Sequence, residues 1–154
     1  MFTYASWINK DNICGADFAV ITSNFQIILV GHCSLVADSS LEAELKALKV
    51  GISYARDRWI RIDNIFTNCA TVGQALNLIC SDNMWRHTNQ LKSIKHLIGE
   101  VGNPKVEVIL RDWNMLAHIL ARKDTLSPKI SLYHEGLDLL RWIMKEIEDH
   151  GLHF

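Results

Sequence analysis

Proline and glycine are scarce. With 2 Pro and 8 Gly in 154 residues, no stretch has the composition of a long flexible linker. A surplus of either charge is also missing. Lys and Arg total 16 against 17 Asp and Glu, a formal net charge of -1, so no bulk cationic field draws the chain to nucleic acid or to a membrane. Any contact with nucleic acid has to come from a local patch. No apolar run approaches the ~18 residues of a membrane span. Met1 to Lys10 lacks a basic start followed by an apolar stretch, so a secretory leader is not expected. Cys14, Cys33, Cys69 and Cys80 are scattered without a C-x-x-C pair. Free thiols in a reducing compartment, nucleus or cytoplasm, are expected, and a zinc site is disfavoured. What remains is a chain of one-domain length, 49% hydrophobic and 21% charged, the balance of a globular fold.

The first third reads as strands. Phe2, Tyr4 and Ser6 alternate with Thr3, Ala5 and Trp7, and Ala16 to Thr22 forms a second extended run. Thr22-Ser23-Asn24-Phe25 is a polar break of hairpin length, after which Gln26 to Val36 is rich in Ile, Leu and Val. Such a hairpin implies antiparallel pairing. The clearest helix follows. Ser39 or Ser40 can cap it, Glu42 suits its first turn, and Leu41, Leu45, Leu48 and Ile52 recur at helical spacing. Beyond it, Ile60 to Thr67 reads as a strand, Cys69 to Cys80 as an amphipathic helix and Thr88 to Val101 as another. Pro104 opens a strand through Val106, Val108 and Leu110. Trp113 to Arg122 reads as a short helix and Ser131 to Asp149 as a longer one. Runs of strands followed by strand–helix alternation predict an α/β mixed sheet with helices on its faces.

Glu44 is the most informative acid, because it borders the apolar stripe between Leu41 and Leu48. It is either a stem packed on the core with its head in water or a functional carboxylate held over the sheet. Ser39-Ser40-Leu41-Glu42-Ala43-Glu44-Leu45-Lys46-Ala47-Leu48 resembles the first-helix motif of the ribonuclease H family, in its plant retroelement, reverse-transcriptase-like branch. Tyr4-Ala5-Ser6-Trp7 resembles the first-strand motif, and Ile65-Phe66-Thr67-Asn68-Cys69 the fourth-strand motif. Val108 to Ala121 resembles the last strand and helix. The resemblance implies a five-stranded mixed sheet, three strands antiparallel and two parallel, flanked by helices. It implies a ribonuclease H-like domain over 1–123, and leaves 124–154 as a C-terminal helical extension packed on it.

The family cuts the RNA strand of RNA–DNA hybrids with two Mg²⁺ ions held by carboxylates. Its four acidic positions fall here on Tyr4, Glu44, Asn68 and His118, so one carboxylate remains. Mg²⁺ needs charged oxygen ligands, and two dications about 4 Å apart repel strongly. A phenol with an ordinary pKa of ~10 is protonated at neutral pH, and imidazole prefers softer ions. The expectation is a degenerate site with no metal and no cofactor, and a Glu44–His118 pair in place of the ions. Asp17, Asp38, Asp63 and Asp112 are the acids nearest the motifs in sequence.

Three functions are weighed. The first is a retroelement-derived module that binds RNA or RNA–DNA hybrid weakly, in a salt-sensitive manner and without cleavage. Arg56, Arg58, Arg61, Lys92, Lys95, Arg111 and Asn114 are its candidate contacts. The second is a protein-interaction or homodimerisation module using Trp113, Trp142 and Met144. The third is a residual nuclease using Glu44 and His118. No membrane partner is expected.

Overall fold

The computed structural model of the chain describes residues 1–7, 12–24, 27–77, 86–114 and 132–135, and of 112, 113 and 132–135 the backbone only. Its strands are β1 (Phe2–Trp7), β2 (Ile13–Ile21), β3 (Ile27–Val36), β4 (Asn64–Thr67), β5 (Lys105–Val108) and β6 (Leu132–Glu135). The helices are α1 (Ser40–Asp57), α2 (Ala70–Asn77) and α3 (Thr88–Glu100), and a 3-10 turn spans Arg111–Asn114. The sheet runs β5-β4-β1-β2-β3-β6. β1, β2 and β3 pair antiparallel, while β4 and β5 join β1 as parallel neighbours. The five-stranded mixed sheet expected from the sequence is present, with β6 added antiparallel to β3.

α1 forms where propensity, capping and periodicity agree. The Ser39 hydroxyl accepts the Glu42 N–H, and a Glu42 carboxylate oxygen accepts the Asp38 N–H, so two donors at the helix start are satisfied. Two stripes of α1 are buried. Leu45, Leu48, Ile52 and Ala55 join Ile94 and Leu97 of α3 and Ile65 of β4 in the main core. Ala43 and Ala47 lie against Ala5, Ala16 and Cys33 of the sheet. Small residues on that stripe let the helix approach the strands closely. At Gly51 an added Cβ would stand 3.0 Å from the Phe18 side chain. Burying a Leu or Ile of this kind is worth ~1.5–3 kcal/mol.

Several elements differ from the sequence expectation, among them β5, which ends at Val108 and not at Leu110. β4 starts at Asn64 rather than Ile60. Trp59 takes a left-handed φ of 58°, and Ile62 donates to the Val101 carbonyl at 2.9 Å instead of joining the ladder. The turn therefore uses up the residues whose alternation suggests a strand. β2 starts at Ile13, earlier than Ala16, because its register with β3 runs on to Val36. Finally, Leu132–Glu135 is a strand, where a helix was expected from Ser131. Pairing with Leu29–His32 satisfies backbone groups that β3 would otherwise present unpaired. The expected helix positions from 136 onward, and those of 115–131, lie outside the described residues.

Candidate functional site

The three parallel strands β1, β4 and β5 point their carboxyl ends the same way, and a crevice at such ends is where open α/β sheets bind ligands. β1 and β4 stay paired only at Phe2↔Phe66 and Thr3↔Thr67. The pairing stops where β4 ends at Thr67, and the first turns of α1 pack beside Ala5 on one face of β1. There the Ala5 N–H donates to the Glu44 carboxyl. Asn68 follows β4 directly, and Arg111 and Asn114 follow β5, whose run is held to β4 by the Ile109 N–H on the Thr67 carbonyl at 2.9 Å.

Side chains line the crevice. Arg111 Nη2 donates to the Tyr4 hydroxyl at 2.8 Å, and its guanidinium carbon lies 5.7 Å from the centroid of the Tyr4 ring. Asn114 is buried. Its Nδ2 donates to the Thr3 carbonyl at 2.7 Å and to Asn68 Oδ1 at 2.9 Å, tying β1, β4 and the turn after β5 together. Burial pushes the Glu44 carboxyl up to about 8, and the Ala5 N–H and the charge of Arg111 pull it back only in part. The acid is therefore mostly protonated at neutral pH. Its Oε2 is buried without a hydrogen-bond partner among the described residues.

Sheet register sets two further buried polar residues in line with Tyr4 that sequence reasoning did not pair with it. Tyr4 stands opposite Asp17, and Asp17 opposite His32. All three are buried. Cys14, Ala16, Phe18 and Val20 of β2 belong to the clusters under α1, so alternation puts Asp17, and with it Tyr4 and His32, on the other face of the sheet. The available signal was a charged residue inside the apolar run Ala16–Val20. Its meaning depends on pairing across three strands.

The remaining candidates are spread over the surface. Arg56, Arg58 and Arg61 sit at the far end of α1 and in the turn after it, about 18 Å along the helix from Glu44 by the 1.5 Å rise per residue. Arg56 pairs with Asp57 at 2.7 Å and Glu100 at 3.4 Å, and Arg61 with Asp63 at 3.5 Å. Arg58 lies over the Tyr54 ring and donates to its hydroxyl. Lys92 and Lys95 are exposed on α3. His118, Trp142 and Met144 lie outside the described residues, as does the side chain of Trp113. Cys14, Cys33 and Cys69 are free thiols. No three His, Cys, Asp or Glu side chains among the described residues gather at ion-binding distance. No described helix is long and apolar enough to cross a membrane.

The family model described as reverse transcriptase-like matches residues 3–124. The chain belongs to the reverse transcriptase-like family. The sheet of this reverse transcriptase-like domain is similar to that of ribonuclease H1 from the halophilic archaeon Halobacterium salinarum, with a TM-score of 0.73 at 14% identity, over 80% of this chain and 94% of that one. It is similar to LC11-RNase H1, isolated from compost and solved in complex with RNA/DNA hybrid, with a TM-score of 0.69 at 13% identity, over 82% and 97% of the two chains. The foamy viral protease-reverse transcriptase, also in complex with RNA/DNA hybrid, matches with a TM-score of 0.58 at 18% identity, over 79% of this domain and 19% of that chain. No curated protein sequence matches. The comparisons agree on the ribonuclease H fold.

Proposed function

We propose that this reverse transcriptase-like domain is a retroelement-derived module that holds RNA or RNA–DNA hybrid without cutting it. The observation that carries the reading is the Arg111–Tyr4 contact, made by a guanidinium whose charge also acts on Glu44. A two-metal nuclease needs several anionic oxygens converging on a pair of dications. Among the described residues the crevice offers a phenol whose oxygen is engaged by a guanidinium, an Asn68 amide whose oxygen is taken by Asn114, and one carboxyl held protonated by burial. A fixed guanidinium charge next to that carboxyl adds further repulsion toward incoming Mg²⁺. The donor set does not fit the family's metal pair, and no catalytic step is derived through it.

Binding without cleavage is supported by the fold and by where its cations lie. Two structures of the same fold hold RNA/DNA hybrid. The crevice of this chain retains an exposed Arg111, and α3 presents Lys92 and Lys95. Phosphate contacts of this kind give affinity that falls with salt, and the total charge of -1 keeps that affinity modest. Incubation of the protein with labelled hybrid in Mg²⁺ or Mn²⁺ is expected to leave the RNA strand intact, while anisotropy at low salt registers binding. Cleavage that disappears in Glu44→Gln would overturn the proposal.

A further inference from the structure

Resting on that reading, we propose that the Arg111 guanidinium, clamped to the Tyr4 hydroxyl, is a metal-independent seat for one backbone phosphate of the bound strand. Arg111 differs from Arg56, Arg58 and Arg61 in its place at the crevice and in the partners its charge has. Arg56 and Arg61 are each committed to carboxylates, and Arg58 is folded onto Tyr54. Arg111 is exposed, and no described carboxylate forms an ion pair with it. A guanidinium carries five N–H donors in a rigid fork that matches two oxygens of a phosphate. Among the described residues, the Tyr4 hydroxyl takes one of them. That contact fixes the direction of the fork and so reduces the side-chain entropy that ordering it on a ligand would cost.

The position of the fork gives the contact its meaning. Arg111 follows β5, and Tyr4 lies just past the last paired residues of β1 and β4, so the cation stands at the mouth of the crevice where the parallel strands end. A strand entering the crevice brings phosphate charge that needs a cation to position it. In this chain a permanently charged side chain, tethered across the crevice, supplies positive charge at the same end of the sheet. Tyr4 is then a positioning residue. Its ring and hydroxyl orient Arg111 and contribute no charge of their own.

The test is fluorescence anisotropy of a short labelled RNA–DNA hybrid with the full chain, in EDTA and in Mg²⁺, over a range of salt. The wild-type protein should bind equally in both. Arg111→Ala should weaken binding about tenfold, the scale of one lost charge-assisted contact, and lower the slope of log affinity against log salt by about one. Arg111→Lys, which keeps the charge and loses the fork, should restore the slope but not the full affinity. Tyr4→Phe should weaken binding severalfold with the slope intact. Urea midpoints of the variants verify that they fold. If wild type binds and Arg111→Ala binds equally well with the same slope, the seat is refuted while the binding function stands. If binding in wild type requires Mg²⁺, the seat is likewise refuted. If wild type binds no hybrid under any condition, the functional reading fails and takes the seat with it.

Discussion

Glu44→Gln separates the charge of the crevice acid from its shape. Burial raises the folded-state pKa to about 8 from the ordinary 4.5, so between those values the folded protein keeps a proton that the unfolded chain has released. The stabilisation is therefore fully present below about pH 4.5 and is lost as pH rises through about 8. At about 1.4 kcal/mol per pH unit, the interval corresponds to ~2–5 kcal/mol, the lower figure allowing for solvent around a half-buried group. Gln has nearly the shape of the protonated acid and never ionises. Urea unfolding should thus find wild type and Glu44→Gln close in stability near pH 5. Near pH 9 the variant should be the more stable by ~2–5 kcal/mol. Cys14 and Cys69, whose thiols burial pushes up, are common to both proteins and largely cancel in the comparison. Parallel pH profiles for the two proteins would refute the reasoning, because they would mean that the carboxyl ionises as freely folded as unfolded.

Other perturbations test the scaffold and the charge pattern. Asn114→Ala removes the amide that joins the Thr3 carbonyl to Asn68, leaving two acceptors without their donor, and should cost ~2–4 kcal/mol in urea unfolding. Ser39→Ala deletes the oxygen that caps α1 and should cost ~1 kcal/mol in the same assay. Arg56→Ala removes a cation already engaged by Asp57 and Glu100. It should leave the salt slope of hybrid binding unchanged, whereas Lys92→Ala should lower it by up to about one if α3 touches the duplex.

The fold was most legible where a local signal was self-sufficient. α1 and α3 have caps or clean periodicity, and both begin within a residue of expectation. The hairpin between β2 and β3 was announced by its polar turn. β4 misled because Ile60 and Ile62 alternate like a strand, yet the left-handed backbone at Trp59 and the Ile62–Val101 hydrogen bond turn them into a corner. Leu132–Glu135 misled in the other direction. Its four residues carry too little periodicity to distinguish a strand from a helix start, and only β3 lying alongside decides. At the site, motif order picked out Tyr4, Glu44 and Asn68. The Arg111–Tyr4 and Asn114–Thr3 contacts span 107 and 111 residues of sequence, and the Tyr4–Asp17–His32 row needs the register of two strand pairs. Neither follows from local pattern.

The strand formed by Leu132–Glu135 also bears on how the molecule can be trimmed. A version ended at residue 123, as motif matching alone would suggest, strips Leu29–His32 of their backbone partners. Four residues in the middle of a strand would then offer dangling donors and acceptors to any passing peptide. Such a shortened protein should self-associate or fall out of solution even with every motif residue intact, because Leu132–Glu135 covers that edge of the sheet.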